Sequence, residues 1–589
     1  MIRKSAIKLD LSKDALFDEL GLKRLRESYM LPTEKSPQER FSYVARAFGS
    51  NIDHAKRLYG YLSNHHLSGS TPILSYGLSK NGLPISCYLS YIDDSAKGLV
   101  ETWSEVANLS MAGGGVGIGV GIRSEDEKSV GVLPHLKTYE PAAAAYRQGR
   151  TRRGTLAPYL DINHPNIIQF IEMRKQTGDP ALRCKDLHHG LNVSDKFMKL
   201  IEACMFDENK DDAWPLIDPH TKLVKEVISA RYLWELIMDM RMETGEPYLH
   251  FIDESNRKMP KWLKKLGLSI KQSNICTEII LPTDKYRTAV CCLASPNLEY
   301  WEEWKDNYQF YKDIEEMLDN ALSIFIKTAP KTIKRAIYSA QQERSIGIGA
   351  LGWHALLQSK MIPFESALAV SLNKAVFSRY RKYTMKANKE LGKERGEAPD
   401  AKGTGRRFSH VCAIAPNASS SIIMGNTSPS IEPFRANGFR QDTMSGSHTH
   451  KNKYLDAILK ERLDEESYTK AWHNVISSRG SAQGLACLSD YEKDVFKTAT
   501  ELDQMWIIEH AAFRQKWIDQ GQSVNLFFEA TVDIKYLHHV HFEAWKKGLK
   551  TLYYARSEKL YHGESVNTES KRDQFVFKQV VESECLACE

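Results

Sequence analysis

The residue types best suited to chemistry lie in Ser273-Asn-Ile-Cys-Thr-Glu-Ile279. Here the thiol of Cys276 is flanked two residues away by the carboxamide of Asn274 and the carboxylate of Glu278. Ile275, Thr277, Ile279 and Ile280 favour an extended chain, whose period-two alternation sets Asn274, Cys276 and Glu278 on one face. That face unites a sulfur, a hydrogen-bonding amide and an acid/base group. A cysteine in a β-branched run is also commonly a small buried hydrophobe, and the heptapeptide alone leaves both readings open. A second thiol feature closes the chain: Cys585 and Cys588 stand in a CxxC at the end of a polar tail. Two thiols supply only half of a structural zinc site, so redox exchange is the favoured use.

Other stretches carry weaker signals. In Ala415-Pro-Asn417-Ala418-Ser419-Ser420-Ser421, a turn and three hydroxyls precede an apolar run, which reads as a helix N-terminus with donors for an anion, or as a plain helix cap. Tyr553 and Tyr554 are adjacent; on a regular strand they point to opposite faces and serve as ordinary β formers, whereas two stacked redox phenols are a rarer use. Gly113 to Gly121 alternates glycine with Val and Ile, which suits a strand that another backbone or a ligand approaches closely; no Gly-Lys-Ser/Thr follows, so it is not a Walker loop. Tyr146 to Gly154 is dense in arginine and suits either a solvated loop or one that meets phosphates. Arg344 to Gly352 imitates part of a dinucleotide fingerprint but lacks the spaced acidic residue.

The elements that must hold these residues belong to a large protein. At 589 residues the chain buries a substantial core. Its 80 Lys and Arg against 74 Asp and Glu leave +6, too dispersed for a nucleic-acid footprint. There is no membrane-spanning apolar run and no signal peptide, so a cytoplasmic protein is expected, in which any disulfide is more often catalytic than structural. The first seventy residues read as helices. Ser12 is placed as the cap of a run to Leu25, Pro37 opens another helix, and Phe41, Val44, Ala45 and Phe48 mark its buried face. Strands are expected at 84–93, 155–160, 523–528 and 549–556, with a helical hairpin over 306–342.

Taken in order, the motifs resemble the large, catalytic subunit of a class I ribonucleotide reductase from about Tyr29 to the end. Asn274-x-Cys276-x-Glu278 is similar to that family's finger-loop triad. Ser86-Cys87 and Cys291 to Leu298, with Asn297 setting the spacing that selects Cys291 over Cys292, resemble the two segments holding its active-site dithiol. Pro416 to Ser421 lies where it binds substrate phosphates, Ala544 to Tyr554 is similar to its radical-transfer segment, and Cys585 and Cys588 resemble its shuttle cysteines.

The resemblance implies an α/β fold: a ten-stranded α/β barrel of two antiparallel halves, each of five parallel strands, with a central finger loop. The implied organisation is a helical N-terminal region over 1–69, the barrel over 70–561 and a redox tail over 562–589. It further implies that Cys276 becomes a thiyl radical, that Glu278 takes a proton, that Asn274 orients the sugar, and that Cys87 and Cys291 finish as a disulfide. Cys585 and Cys588 then exchange with that disulfide and are reduced by thioredoxin or glutaredoxin. Tyr553 and Tyr554 carry the radical from a separate metal-containing small (beta) subunit; no metal or cofactor is bound directly. Thr71, Ser86, Gly115 and residues 417–421 contact a ribonucleoside diphosphate. Asp94, Ser95 and Arg123 contact a dNTP or ATP effector, relayed by the loop at 148–154. A homodimer is implied, and the N-terminal ATP-cone of many relatives is expected to be missing. The rival within the same architecture is the adenosylcobalamin-dependent enzyme, against which the tyrosine pair argues.

Overall fold

The computed structural model describes residues 2–80, 82–146, 154–443 and 446–557. The helical start differs in detail from the sequence reading. Instead of one helix capped by Ser12, a 3-10 turn at Leu11–Leu16 is capped by Asp10 and a separate helix, Glu19–Ser28, by Asp18. Asp10 accepts the Ser12 amide hydrogen bond at 3.2 Å, so the carboxylate rather than the hydroxyl closes that turn. Pro37 opens Pro37–Phe48 as expected, with Ser36 capping it and Phe41, Val44, Ala45 and Phe48 fully buried.

The centre is a closed barrel. Strands Cys87–Ile92, Gly115–Val120, Leu156–Asp161, Gly190–Val193 and Tyr248–Phe251 lie side by side and parallel. Helices such as Ala96–Met111 and Ala230–Thr244 connect them over the outside. The second half is less regular, and its strands are the stretches 289–296, 347–348, 412–414, 522–528 and 551–557. Parallel contacts tie Leu293 to Gly347, Ile348 to Cys412, Ile414 to Gln522 and Leu526 to Ala555. Two antiparallel seams join the halves, Cys87 opposite Cys291 and Thr551 opposite His250. The ring is therefore two sets of five parallel strands running against each other, as the resemblance implied.

Each seam strand changes partners midway. Ala289–Cys291 pairs antiparallel with the first half, and Leu293–Pro296 pairs parallel with the second. Thr551–Leu552 and Ala555–Ser557 repeat the exchange at the other seam. Such a switch interrupts regular pleating, and both interruptions fall beside candidate catalytic residues. A satellite of a β-hairpin and helices Lys453–Arg462, Glu465–Ser477 and Asp490–Val495 packs on its own small core around Leu455, Trp472 and Phe496. No helix among the described residues is long and apolar enough to cross a membrane.

Candidate active site

The heptapeptide from Ser273 to Ile279 is not a strand. It runs through the middle of the barrel as a loop that turns at Ile275 to Thr277, with Thr277 at φ +69° and its amide donating to the Asn274 carbonyl at 3.3 Å. Asn274 and Glu278 meet across this turn and not through period-two alternation, the Asn274 Nδ2 donating to Glu278 Oε1 at 2.9 Å. Every residue from Gln272 to Ile279 is buried.

A buried loop has to satisfy its backbone from its surroundings, and both halves of the barrel contribute. Tyr159 Oη donates to the Asn274 carbonyl at 2.6 Å, Gln272 Nε2 to the Ser90 carbonyl at 2.8 Å, and the Gly521 amide to the Glu278 carbonyl at 2.8 Å. The glycine run makes room: a Cβ on Gly117 falls 2.1 Å from the Ser273 carbonyl oxygen, and one on Gly119 falls 2.5 Å from Gln272 Oε1. Close backbone approach is thus what the alternating glycines are for.

Around the turn the chemical groups converge. Asn274 Nδ2 lies 3.3 Å from Cys87 Sγ, and Tyr553 Oη donates to Cys276 Sγ at 3.5 Å. Cys87 and Cys291 are directly opposed across the seam, where paired Cα atoms are about 4.5–5.5 Å apart, within reach of a disulfide. Cys291 is a free thiol, and burial holds it well above its ordinary range, with nearby Glu278 adding to the effect. Its neighbour Cys292 directs its sulfur toward the Pro84 carbonyl, 3.6 Å away. Burial also pushes the Glu278 carboxyl up to about 7, against the opposing pull of hydrogen bonds from Asn274 and Ser523.

Tyr553 and Tyr554 do not face opposite ways. They occupy the break between Thr551–Leu552 and Ala555–Ser557, and their ring centroids are 4.2 Å apart at 49°. The partner switch abolishes strand alternation at these two positions and brings both rings to the barrel interior.

Thr71 opens the turn Thr71–Leu74 and shares a 3.0 Å hydrogen bond with Tyr29 Oη. Ser86 is fully buried with its Oγ unpartnered, while its carbonyl accepts the Gly115 amide at 3.0 Å. Asn417 precedes helix Ala418–Ile423 with φ +54°, but its side chain does not cap the helix. It donates to the Ala350 and Ala415 carbonyls and accepts from Ser295 Oγ at 3.2 Å. Pinned in this way, it leaves the first-turn amides of Ala418, Ser419 and Ser420 uncapped by its carboxamide. Ser419 Oγ accepts from Arg24 at 2.7 Å and Ser421 Oγ donates to the Ala418 carbonyl at 2.7 Å.

A separate group forms beyond the ends of the first two strands. Arg123 pairs with Asp94 at 3.3 Å, His220 Nδ1 lies 3.8 Å from the same carboxylate, and Ser95 caps helix Ala96–Met111. Residues 148–153 of the proposed relay loop, and Cys585 and Cys588, lie outside the described residues.

Sequence reasoning missed Ser523 and Glu246. Ser523 Oγ contacts both the Cys276 carbonyl and Glu278 Oε2, the latter at 3.2 Å. Glu246 sits under Tyr554 among charged side chains. Ser523 stands just before an apolar strand, and Glu246 follows the glycine that ends helix Ala230–Thr244; neither position has a local pattern to mark it. One group of metal-ligating types, His54, Asp313 and Glu316, also comes together within 4.8 Å. Arg57 grips Asp313 at 2.7 and 2.8 Å and Arg395 pairs with Glu316, so this is an ion-pair cluster.

A closed α/β barrel threaded by a loop that sets a thiol between a carboxamide and a carboxylate, with a cysteine pair and a tyrosine pair against it, defines a thiol-based oxidoreductase. Two family models cover most of the chain: "Ribonucleotide reductase, all-alpha domain" matches residues 15–82, and "Ribonucleotide reductase, barrel domain" matches 85–404 and 399–555. The chain belongs to the ribonucleotide reductase large-subunit family. It is 50% identical over 633 aligned residues to the ribonucleoside-diphosphate reductase large subunit of Invertebrate iridescent virus 3, covering 99% of this chain and all of that one. The putative large subunit of Frog virus 3 is 44% identical across 86% of this chain and 89% of its own. A solved class Id ribonucleotide reductase alpha subunit from Actinobacillus ureae superposes with a TM-score of 0.80 at 33% identity, covering 93% of this chain and 98% of that one.

Proposed function

We propose that the chain is the catalytic subunit of a class I ribonucleoside-diphosphate reductase, converting ribonucleotides to 2'-deoxyribonucleotides with a radical delivered by a separate subunit. The observation that carries this reading is the contact of Tyr553 Oη with Cys276 Sγ at 3.5 Å, continued outward by Tyr554. A cofactor bound beside the thiol, as in the cobalamin-dependent rival, needs no such relay. The separate subunit supplies a one-electron oxidant; the steps on the nucleotide fall to this chain.

Cys276, oxidised through the tyrosines, abstracts the ribose 3'-hydrogen. Glu278 takes the 3'-hydroxyl proton, and a carboxyl near 7 is well placed both to accept and to return it. Asn274, already bonded to Glu278, orients the sugar. Cys87 and Cys291 provide two protons and two electrons: the C2'–O bond breaks, one proton leaves with the hydroxyl as water, the other hydrogen forms the new C2'–H bond, and the sulfurs join as a disulfide. The hydrogen held by Cys276 returns to C3', and the radical goes back to the sulfur. Cys585 and Cys588 then reduce the disulfide by exchange and are themselves reduced by thioredoxin or glutaredoxin. Ser86, Thr71 and Gly115 contact the nucleoside, and the 417–421 turn binds its phosphates. Asp94, Ser95 and Arg123 bind a nucleotide effector, and the protein works as a homodimer.

Cys276→Ser tests the reading. Deoxynucleotide formation with the small subunit should fall to background while nucleoside diphosphate binding by calorimetry stays within twofold. Turnover of the unaltered chain with adenosylcobalamin and no small subunit would move the protein to the rival class.

A further inference from the structure

Around Tyr554 the structure builds something the reaction scheme above does not use. Glu246 is fully buried, yet its carboxylate is crowded with partners. Arg174 Nη1 donates to Oε1 at 3.0 Å and His188 Nδ1 lies 2.5 Å from the same oxygen. The His189 amide donates to Oε2 at 2.9 Å, and His189 Nδ1 lies 3.2 Å from it. Tyr248 Oη donates to Oε1 at 3.3 Å. Although burial opposes ionisation, Arg174 and His188 hold the carboxyl well below its usual range, so it is charged.

Two members of this cluster touch the radical route directly. The Tyr248 ring packs against Tyr553 at 4.8 Å and Tyr554 at 5.2 Å, and the Tyr248 and Tyr554 phenols lie close enough to shift each other's ionisation. His188 Nδ1 lies 3.4 Å from Tyr554 Oη. A buried charge group of this kind is a poor way to gain stability, since desolvation offsets most of the attraction. Its position is therefore informative: the carboxylate lies one hydroxyl away from the phenol that must first lose an electron.

We propose that Glu246 is the proton acceptor for Tyr554, reached through the Tyr248 hydroxyl and held in place by Arg174, His188 and His189. This rests on the radical-transfer reading given above. On oxidation one electron leaves Tyr554 for the oxidant of the small subunit, and the phenolic O–H bond breaks. The proton passes to the Tyr248 oxygen as the Tyr248 proton passes to Glu246 Oε1, leaving a neutral tyrosyl radical and a neutral glutamic acid. A hydrogen atom then moves from Tyr553 to Tyr554, and the proton waits on Glu246. When the radical returns, the hydrogen atom goes back to Tyr553, and electron and proton rejoin Tyr554, so the cycle balances. An oxidised phenol surrenders its proton to a weak base, so the acceptor has to be near more than it has to be strong.

The test uses the full chain with its small subunit and 3-aminotyrosine in place of Tyr554, an easily oxidised phenol whose neutral radical is counted by electron paramagnetic resonance. Glu246→Gln keeps the shape and removes the base; Tyr248→Phe keeps the ring and removes the relay, and covers the case in which Glu246→Gln does not fold. Each should lower the radical yield at position 554 at least tenfold with nucleotide binding within twofold, and Glu246→Asp should recover part of the loss. Yields within twofold of the parent in either folded variant would overturn the proposal and leave the radical route standing. No radical at position 554 even with Glu246 and Tyr248 intact would sink the route itself, and the proposal with it.

Discussion

Glu278 owes its position on the pH scale to two opposed influences, and one of them is removable. Burial raises its carboxyl to about 7, while Ser523, at 3.2 Å from Oε2, favours the ionised form. Ser523→Ala takes away that donor. A hydrogen bond to a charged group contributes about 1.5–3 kcal/mol, and one pKa unit corresponds to about 1.4 kcal/mol, so the carboxyl should rise by about one unit. The ionised fraction at pH 7 then falls from about half to about a tenth. The acid limb of the kcat/KM profile should move about one unit toward alkaline pH, with activity near that of the parent above pH 9. An unmoved limb in a folded variant separates Ser523 from Glu278, or Glu278 from the base role.

At the scale of elements, the strand Gly115–Val120 and the helix Tyr308–Thr328 make opposite predictions. Gly117→Ala puts a methyl 2.1 Å from the Ser273 carbonyl, so strand and loop have to separate. Overpacking of this kind costs about 1–3 kcal/mol. Because the displaced loop carries Cys276, turnover should drop at least tenfold. Gly60→Ala is the control: in helix Ile52–Ser63 a new Cβ meets nothing within 4 Å, and it should leave turnover unchanged and stabilise the fold slightly. Equal turnover in the two variants would mean that the glycine run does not seat the loop. On the other element, Glu315 is fully buried with both carboxylate oxygens unpartnered, and burial, helped by Asp519 and Asp319, pushes its pKa well above the usual range. Glu315→Met removes a desolvated acid at similar length and should raise the thermal unfolding midpoint at fixed scan rate, since an unsatisfied buried polar group costs about 1–3 kcal/mol. A lower midpoint would show that Glu315 has a stabilising role.

For the whole molecule, the closed barrel imposes a transport problem. Cys87 and Cys291 lie buried at a seam, so a protein reductant cannot reach a disulfide formed there. The terminal dithiol answers this if it exchanges with the seam pair. Replacing Cys585 and Cys588 by serine should abolish thioredoxin-supported multiple turnover. A single turnover of prereduced protein should still yield product at the parent's stoichiometry, because that first event draws only on Cys87 and Cys291. Unimpaired multiple turnover would remove the shuttle from the scheme.

Much of the candidate site was legible from residue order alone. Asn274, Cys276 and Glu278 are neighbours in sequence, so any turn there keeps them together, and the alternation of glycine with Val and Ile records a close approach whatever comes close. The helix begun by Pro37 was equally readable, because Pro at the first turn and one apolar face are local signals. The manner in which Asn274 meets Glu278 was not legible: β-branched residues favour a strand, and only the surrounding barrel, through Tyr159, Gly521 and Ser523, holds them in a turn. Alternation likewise set Tyr553 and Tyr554 on opposite faces until the seam, where one strand exchanges an antiparallel neighbour for a parallel one, brought them together. Glu246 left no trace in the sequence, because the partners that hold its charge, Arg174, His188 and His189, lie 57 to 72 residues away along the chain. The chain by itself determined which chemical groups are present and which are adjacent; closure of the barrel decided which face each other, since contacts between distant segments have no local propensity to announce them.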